Sequence, residues 1–219
     1  RSVIYTKAYN SVSPFYNLDS IVSEYHTSET PEGISVTWRD SVGNHTAQSS
    51  LHGIVQSRNI MTAWYAGNLL QISPDAILQG IRSTTMRARF EIIPGEPTII
   101  LDGAHTEVSI LNTVETYQKL FPEPCVLLFG TAQDKHSFAM LKTLYPITEL
   151  AVITRPGTFK QSEPERILEE AHALNMQAEL IADTEAAVIH AHALAKARKL
   201  PLLICGSFYL CADALKTLA

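Results

Sequence analysis

From residue 98 onward the chain repeats one unit, a short apolar run followed by a longer stretch with helical spacing. Apolar runs fall at 98–101, 125–129, 150–154, 178–181 and 202–205, and helical patterns near 107–120, 137–144, 163–174, 185–198 and 208–218. Continuous apolar runs describe strands covered on both faces, and a helix between successive strands is the crossover that parallel neighbours require. The pattern therefore predicts an α/β fold, a mostly parallel sheet flanked by helices.

The first part of the chain is built differently. Residues 11–50 are rich in Ser, Thr, Asn and Pro, with one alternating stretch at 34–38 that suits a half-exposed strand before a turn at 41–44. Two helical patterns follow, over 59–70 and from Ser73-Pro74-Asp75 to about 80–85, where Ser caps and Pro takes the first helical position. Pro94, Gly95 and Pro97 cluster at the change of pattern, which divides the chain into 1–92 and 93–219. The chain opens at Arg1 without an initiating Met, as a fragment or processed form would.

Composition narrows the partners. With 17 basic against 22 acidic residues, a net charge of -5 and no Lys/Arg cluster, nucleic acid is not an expected ligand. The apolar runs are far too short for a membrane span, and residue 201, inside one of them, is Pro. No signal-peptide pattern opens the chain, so the expected compartment is the cytoplasm, and a monomer is expected. Cys125, Cys205 and Cys211 lie in apolar stretches without CxxC spacing and read as buried, reduced thiols.

Polar residues collect just after the predicted strands: Asp102 to His105, Gly130 to His136, Arg155 to Gly157, Asp183, and Gly206-Ser207. Open α/β sheets bind ligands at that edge. Asp102 and His105 can hold a metal, position a nucleotide or orient an amine nucleophile; equally, Asp102 can cap a turn and His105 lie on a surface loop. Arg89 offers a planar fork for phosphate or for a surface ion pair. Ser207 opens a helix, where it grips a carboxylate or simply caps. Thr106 reads as a cap, Asp134, Lys135 and His136 as a polar loop, and His172, His190 and His192 as structural or exposed residues without metal-ligand spacing. The chain holds no G-x-x-x-x-G-K-[ST] phosphate-binding loop.

Taken in order, Leu51-His52-Gly53-Ile54-Val55-Gln56-Ser57-Arg58-Asn59, Ala88-Arg89-Phe90-Glu91, Asp102-Gly103-Ala104-His105, Asp134-Lys135 and Gly206-Ser207-Phe208-Tyr209-Leu210 resemble folylpolyglutamate synthase, often bifunctional with dihydrofolate synthase, in the Mur ligase superfamily. The Asp-Gly-Ala-His form resembles the folate branch more than the muropeptide ligases. The resemblance implies a C-terminal, Rossmann-like glutamate-binding domain over 93–219, preceded by the end of a central ATP-binding domain over 1–92. It implies ATP-dependent addition of L-glutamate to folate or dihydropteroate through an acyl phosphate. Asn59, Arg89 and Asp102 would bind ATP, His105 and Ser207 would bind or orient glutamate, and Asp102 with His105 would carry the chemistry. Magnesium ligands and the phosphate-binding loop would lie outside these residues, so the chain alone would be inactive. Departures from the family pattern are Thr106 in place of a frequent Asn, His136 in place of an acid, and Arg58 and Ile60 beside Asn59. Another Mur-type amino-acid ligase and a non-catalytic remnant domain are the alternatives.

Overall fold

The computed structural model describes residues 2–157 and 161–218. Its first part begins with helices α1 (Ser2–Asn10) and α2 (Leu18–Ile21), followed by strands β1 (Glu24–Thr30), β2 (Gly33–Arg39) and β3 (Asn44–Ser49). These strands form an antiparallel sheet in the order β1-β2-β3. Helices α3 (Val55–Leu69) and α4 (Pro74–Ser83) cover one face of it. Ile34, Val36 and Trp38, two residues apart on β2, meet Ile60, Met61 and Trp64 of α3 and Ile77 and Ile81 of α4 in one core. The alternation in β2 and the helical spacing of the covering residues are the two halves of that contact. As expected, the Ser73 hydroxyl caps α4 by accepting from Ala76 N, and Pro74 takes its first turn.

A short linker leads to the second sheet, built from β4 (Glu91–Ile93), β5 (Ile99–Asp102), β6 (Cys125–Phe129), β7 (Thr148–Ile153), β8 (Ala178–Leu180) and β9 (Leu202–Cys205). The strand order is β4-β5-β9-β6-β7-β8. Only β4 runs antiparallel to its neighbour; the other pairings are parallel. Helices α5 (Glu107–Leu120), α6 (Ser137–Leu144) and α7 (Pro164–Ala173) lie on one face, with α8 (Thr184–Arg198) and α9 (Phe208–Leu218) on the other.

Side-chain alternation explains why both faces are dry. Cys125, Leu127 and Phe129 of β6 enter the core shared with Ile110, Val114, Met140 and Leu141, while Val126 and Leu128 enter the core shared with Ala187, Val188, Ala191 and Leu210. A strand that contributes to two cores must be apolar at every position, as this run is. The cysteines are free thiols, all buried. Among the described residues no helix is long and apolar enough to cross a membrane.

The predicted strands and helices of the second part recur within about two residues at their ends, the usual fuzziness of element boundaries. The first part holds more structure than its sequence suggests: α1, β1 and β3, and then β4 after the linker, were not separable from loops by pattern.

Candidate active site

The carboxyl ends of β5, β6 and β9 lie side by side, because β9 pairs with both of the others. The closest approach is between backbones. Gly206 has φ +103°, and a Cβ there would stand 2.6 Å from Gly130 O. Around this junction sit the residues singled out above.

Asp102 ends β5 and is partly buried. Its Oδ1 accepts from Ala104 N at 3.1 Å and its Oδ2 from the Thr113 hydroxyl at 2.7 Å. Burial pushes this carboxyl up to about 6, against the pull of the Thr113 and Ala104 hydrogen bonds and of Arg89 and His105 nearby. The neutral acid is thus populated within a pH unit or so of neutrality.

Arg89 lies in the linker between two buried neighbours, Ala88 and Phe90, both at positive φ. Its guanidinium sits over the Phe208 ring, 4.6 Å from the centroid. It is exposed and forms no ion pair among the described residues. The Phe208 ring also meets the His105 ring edge-on, with centroids 5.9 Å apart. Gly103 makes this possible, since a Cβ there would come within 2.3 Å of the ring. One aromatic side chain therefore serves as a platform for both the linker cation and the imidazole.

His105 Nδ1 lies 2.8 Å from Gly103 O, and a carbonyl only accepts, so Nδ1 carries a hydrogen, and in the neutral ring the lone pair is on Nε2. The loop is pinned from the other side by Ser109, whose hydroxyl accepts from His105 N at 3.1 Å and Thr106 N at 2.9 Å. Thr106 completes a capping box with Ser109 at the start of α5. Ser207 follows β9, half-buried, and its Oγ accepts from Tyr209 N at 3.1 Å, the bond expected of a cap.

Between the two parts of the molecule runs a cleft of about 120 Å³. Arg89, Phe90, Asp102, Asn112 and Thr113 form one wall, with His52, Gly53 and Gln56 on the other. Asn59 does not reach it; its amide donates to Gln56 Oε1 at 2.9 Å, one helical turn nearer the cleft. Of the predicted residues, then, Arg89 and Asp102 share the cleft, His105 joins them through the Phe208 platform, and Asn59 stands one residue removed. Asp134 and Lys135 pair with each other at 3.5 Å, and His136 reaches Glu107 at 2.9 Å, both on the surface.

Four residues here had no role marked out by the sequence. Phe208 belongs to a quoted motif, but nothing there marks its ring as a shared platform. Thr113 lies eleven positions beyond Asp102 and meets it only because α5 folds back along β5. The His52 and Glu29 side chains are nearly covered beside the cleft, although Glu29 as a residue is half-buried, with His52 Nδ1 3.7 Å from Glu29 Oε1. That nitrogen and Glu29 Oε2 have no hydrogen-bond partner among the described residues. An exposed unpaired cation, a carboxylate acceptor in the wall and an orphaned imidazole nitrogen suit a ligand bearing both anionic and hydroxyl groups, as a nucleotide does. A metal ion is not matched here: among the described residues no three His, Cys, Asp or Glu side chains are placed to hold one.

The chain is similar to known proteins over most of its length. It is 30% identical over 174 residues to a probable bifunctional folylpolyglutamate synthase/dihydropteroate synthase of Haloferax volcanii, an alignment covering 76% of this chain and 20% of that protein. It is 27% identical over 194 residues to folylpolyglutamate synthase of Lacticaseibacillus casei, covering 85% and 44% respectively. The fold superposes on folylpolyglutamate synthase of Mycobacterium tuberculosis, a protein solved with ADP and AMPPCP, with a TM-score of 0.85 at 20% identity, over 99% of this chain and 52% of that one. The chain thus spans less than half of these two relatives and about half of the solved structure. The family described as Mur ligase, glutamate ligase domain, matches residues 88–208, a span that starts at the linker and takes in Arg89, Asp102, His105 and Ser207. With more than half of its residues inside that match, the chain belongs to the Mur ligase family.

Proposed function

We propose that this chain forms the glutamate-presenting and nucleotide-covering part of a cytoplasmic ATP-dependent amide ligase that adds L-glutamate to folate, to dihydropteroate, or to both. Residues 1–92 would end the central ATP-binding domain and 93–219 would form the glutamate-binding domain. The observation that carries this reading is Arg89: an exposed guanidinium on an aromatic platform, free of any ion pair among the described residues, at the junction of the two parts. A cation left unpaired in that position is available to phosphate oxygens.

Each role follows from chemistry. Asp102 would accept hydrogen bonds from the hydroxyl groups of the nucleotide sugar, and Asn59, through Gln56, would orient the base. ATP supplies the phosphoryl group that activates the substrate carboxylate as an acyl phosphate. Arg89 would stabilise the phosphate charge, and closing the cleft would exclude water from the reactive mixed anhydride. His105, its Nδ1 hydrogen committed to Gly103 O, presents Nε2, which suits it to receive a hydrogen bond from the incoming ammonium or amine. Ser207 and the amides that open α9 would take a glutamate carboxylate. Magnesium, held by ligands outside the described residues, would screen the phosphate charge.

The test is ligation by the intact gene product, with dihydropteroate, reduced folates and muropeptide precursors offered in parallel. Glutamate- and ATP-dependent turnover with a pterin substrate is expected, reduced about a hundredfold by Arg89→Ala. Turnover confined to muropeptide precursors would overturn the reading. The 219-residue chain by itself is expected not to ligate.

A further inference from the structure

We propose that Thr113 positions Asp102 for a ligand hydroxyl and makes the strength of that acceptor depend on pH, because its single hydroxyl hydrogen has two alternative acceptors. The Thr113 Oγ1 atom lies 2.7 Å from Asp102 Oδ2 and 3.0 Å from the Ser109 carbonyl oxygen, one turn earlier in α5. One hydrogen cannot serve both. When Asp102 is ionised, Thr113 donates to it, and the carboxylate keeps its remaining lone pairs for a donor in the cleft. When Asp102 is protonated, its own O–H donates to Thr113 Oγ1, the threonine hydrogen turns to Ser109 O, and the acid loses acceptor strength. Thr113 is buried, with 1% of its surface exposed, so no water competes for the exchange.

The surroundings leave Thr113 as the chief adjustable partner. Arg89 in the linker and His105 in the same loop favour the ionised form. Cys205, the register partner of Asp102 on β9, and Cys211 on α9 face it as thiols that burial holds in the neutral form. Glu91 on β4 is paired with Arg87 at 2.7 Å, and His52 closes the far wall of the cleft. Among the influences that hold the carboxylate down against burial, the Thr113 hydrogen bond is the largest.

The inference rests on the reading that Asp102 receives nucleotide hydroxyls, and the experiment separates the two. The Asp102 carboxyl is followed by carbon NMR across pH in the ligand-free chain, assigned by its disappearance in Asp102→Asn. ADP affinity is measured calorimetrically at the same pH values for wild type, Thr113→Ser, Thr113→Val and Thr113→Ala. Removing the hydroxyl is expected to move the carboxyl midpoint upward by about one pH unit and to weaken ADP binding about fivefold at the wild-type midpoint. Thr113→Ser is expected to restore both, and the affinities are expected to converge at pH 9. An unchanged midpoint in folded Thr113→Val or Thr113→Ala overturns the positioning role whether or not ADP binds. A midpoint that moves while ADP binding ignores it overturns the nucleotide role of Asp102.

Discussion

In the six-stranded sheet every residue of β6 is buried, with alternate side chains entering separate cores, whereas β1 of the three-stranded sheet has residues that are all exposed or half-buried, and only one face of that sheet carries a core. A sheet covered on both faces has no free surface for a ligand except at its strand ends. Asp102, His105 and Ser207 accordingly lie at or just beyond strand ends. The first part contributes to the cleft differently, through the loop at His52 and Gly53 and the opening turn of α3.

This contrast can be broken by substitution. Leu127→Ala, at the centre of β6, is expected to cost about 3–5 kcal/mol in urea unfolding, and Tyr25→Ala on β1 under about 1 kcal/mol; equal losses would mean that the two sheets are not differently supported. Gly206→Ala combines an unfavourable φ with a collision against backbone, and should cost about 2–4 kcal/mol. A neutral result, measured the same way, would show that the strand ends can part.

Asp102→Asn probes a half-buried charge at the edge of that doubly covered sheet. In the fold the carboxyl titrates near 6, above its ordinary 3.8, so the protein favours the protonated form. The stability this contributes is fully present below about pH 4 and is lost as pH rises through 6. Asp102→Asn should therefore unfold less readily than wild type at pH 8, by roughly 2–3 kcal/mol, and the gap should close towards pH 4. A gap that widens on acidification would reverse the sign of the argument. The smallest effect is expected at the surface pair: His136→Ala, removing the partner of Glu107, should change the melting temperature by the equivalent of less than about 0.5 kcal/mol at either pH.

How much could be read from sequence follows the same division. β6 and β9 were legible because burial on both faces demands unbroken apolar runs, and Leu202 to Cys205 satisfies that demand. β1, with the sequence EYHTSET, has no buried residue and so no pattern to find. β4 is only three residues long and is held by pairing with β5. Arg89, Asp102, His105 and Ser207 were visible as polar residues at strand ends or at the boundary. Thr113 and Glu29 were not, and His52 stood in a recognised segment without a role, since each acquires its meaning from a neighbour many positions away that only the folded chain supplies. Phe208 sat in view as an apolar residue at a helix start, where nothing distinguishes a platform from a core side chain.

The meeting of Gly130 and Gly206 has a mutational consequence. A Cβ at Gly206 would meet both Gly130 O and the Phe129 ring, and one at Gly130 would meet Thr154 O, so a side chain at either position would push the strand ends apart. Sequence can drift in the polar loops that follow these strands, while the spacing of the strand ends that carry them holds until one of the two glycines is lost.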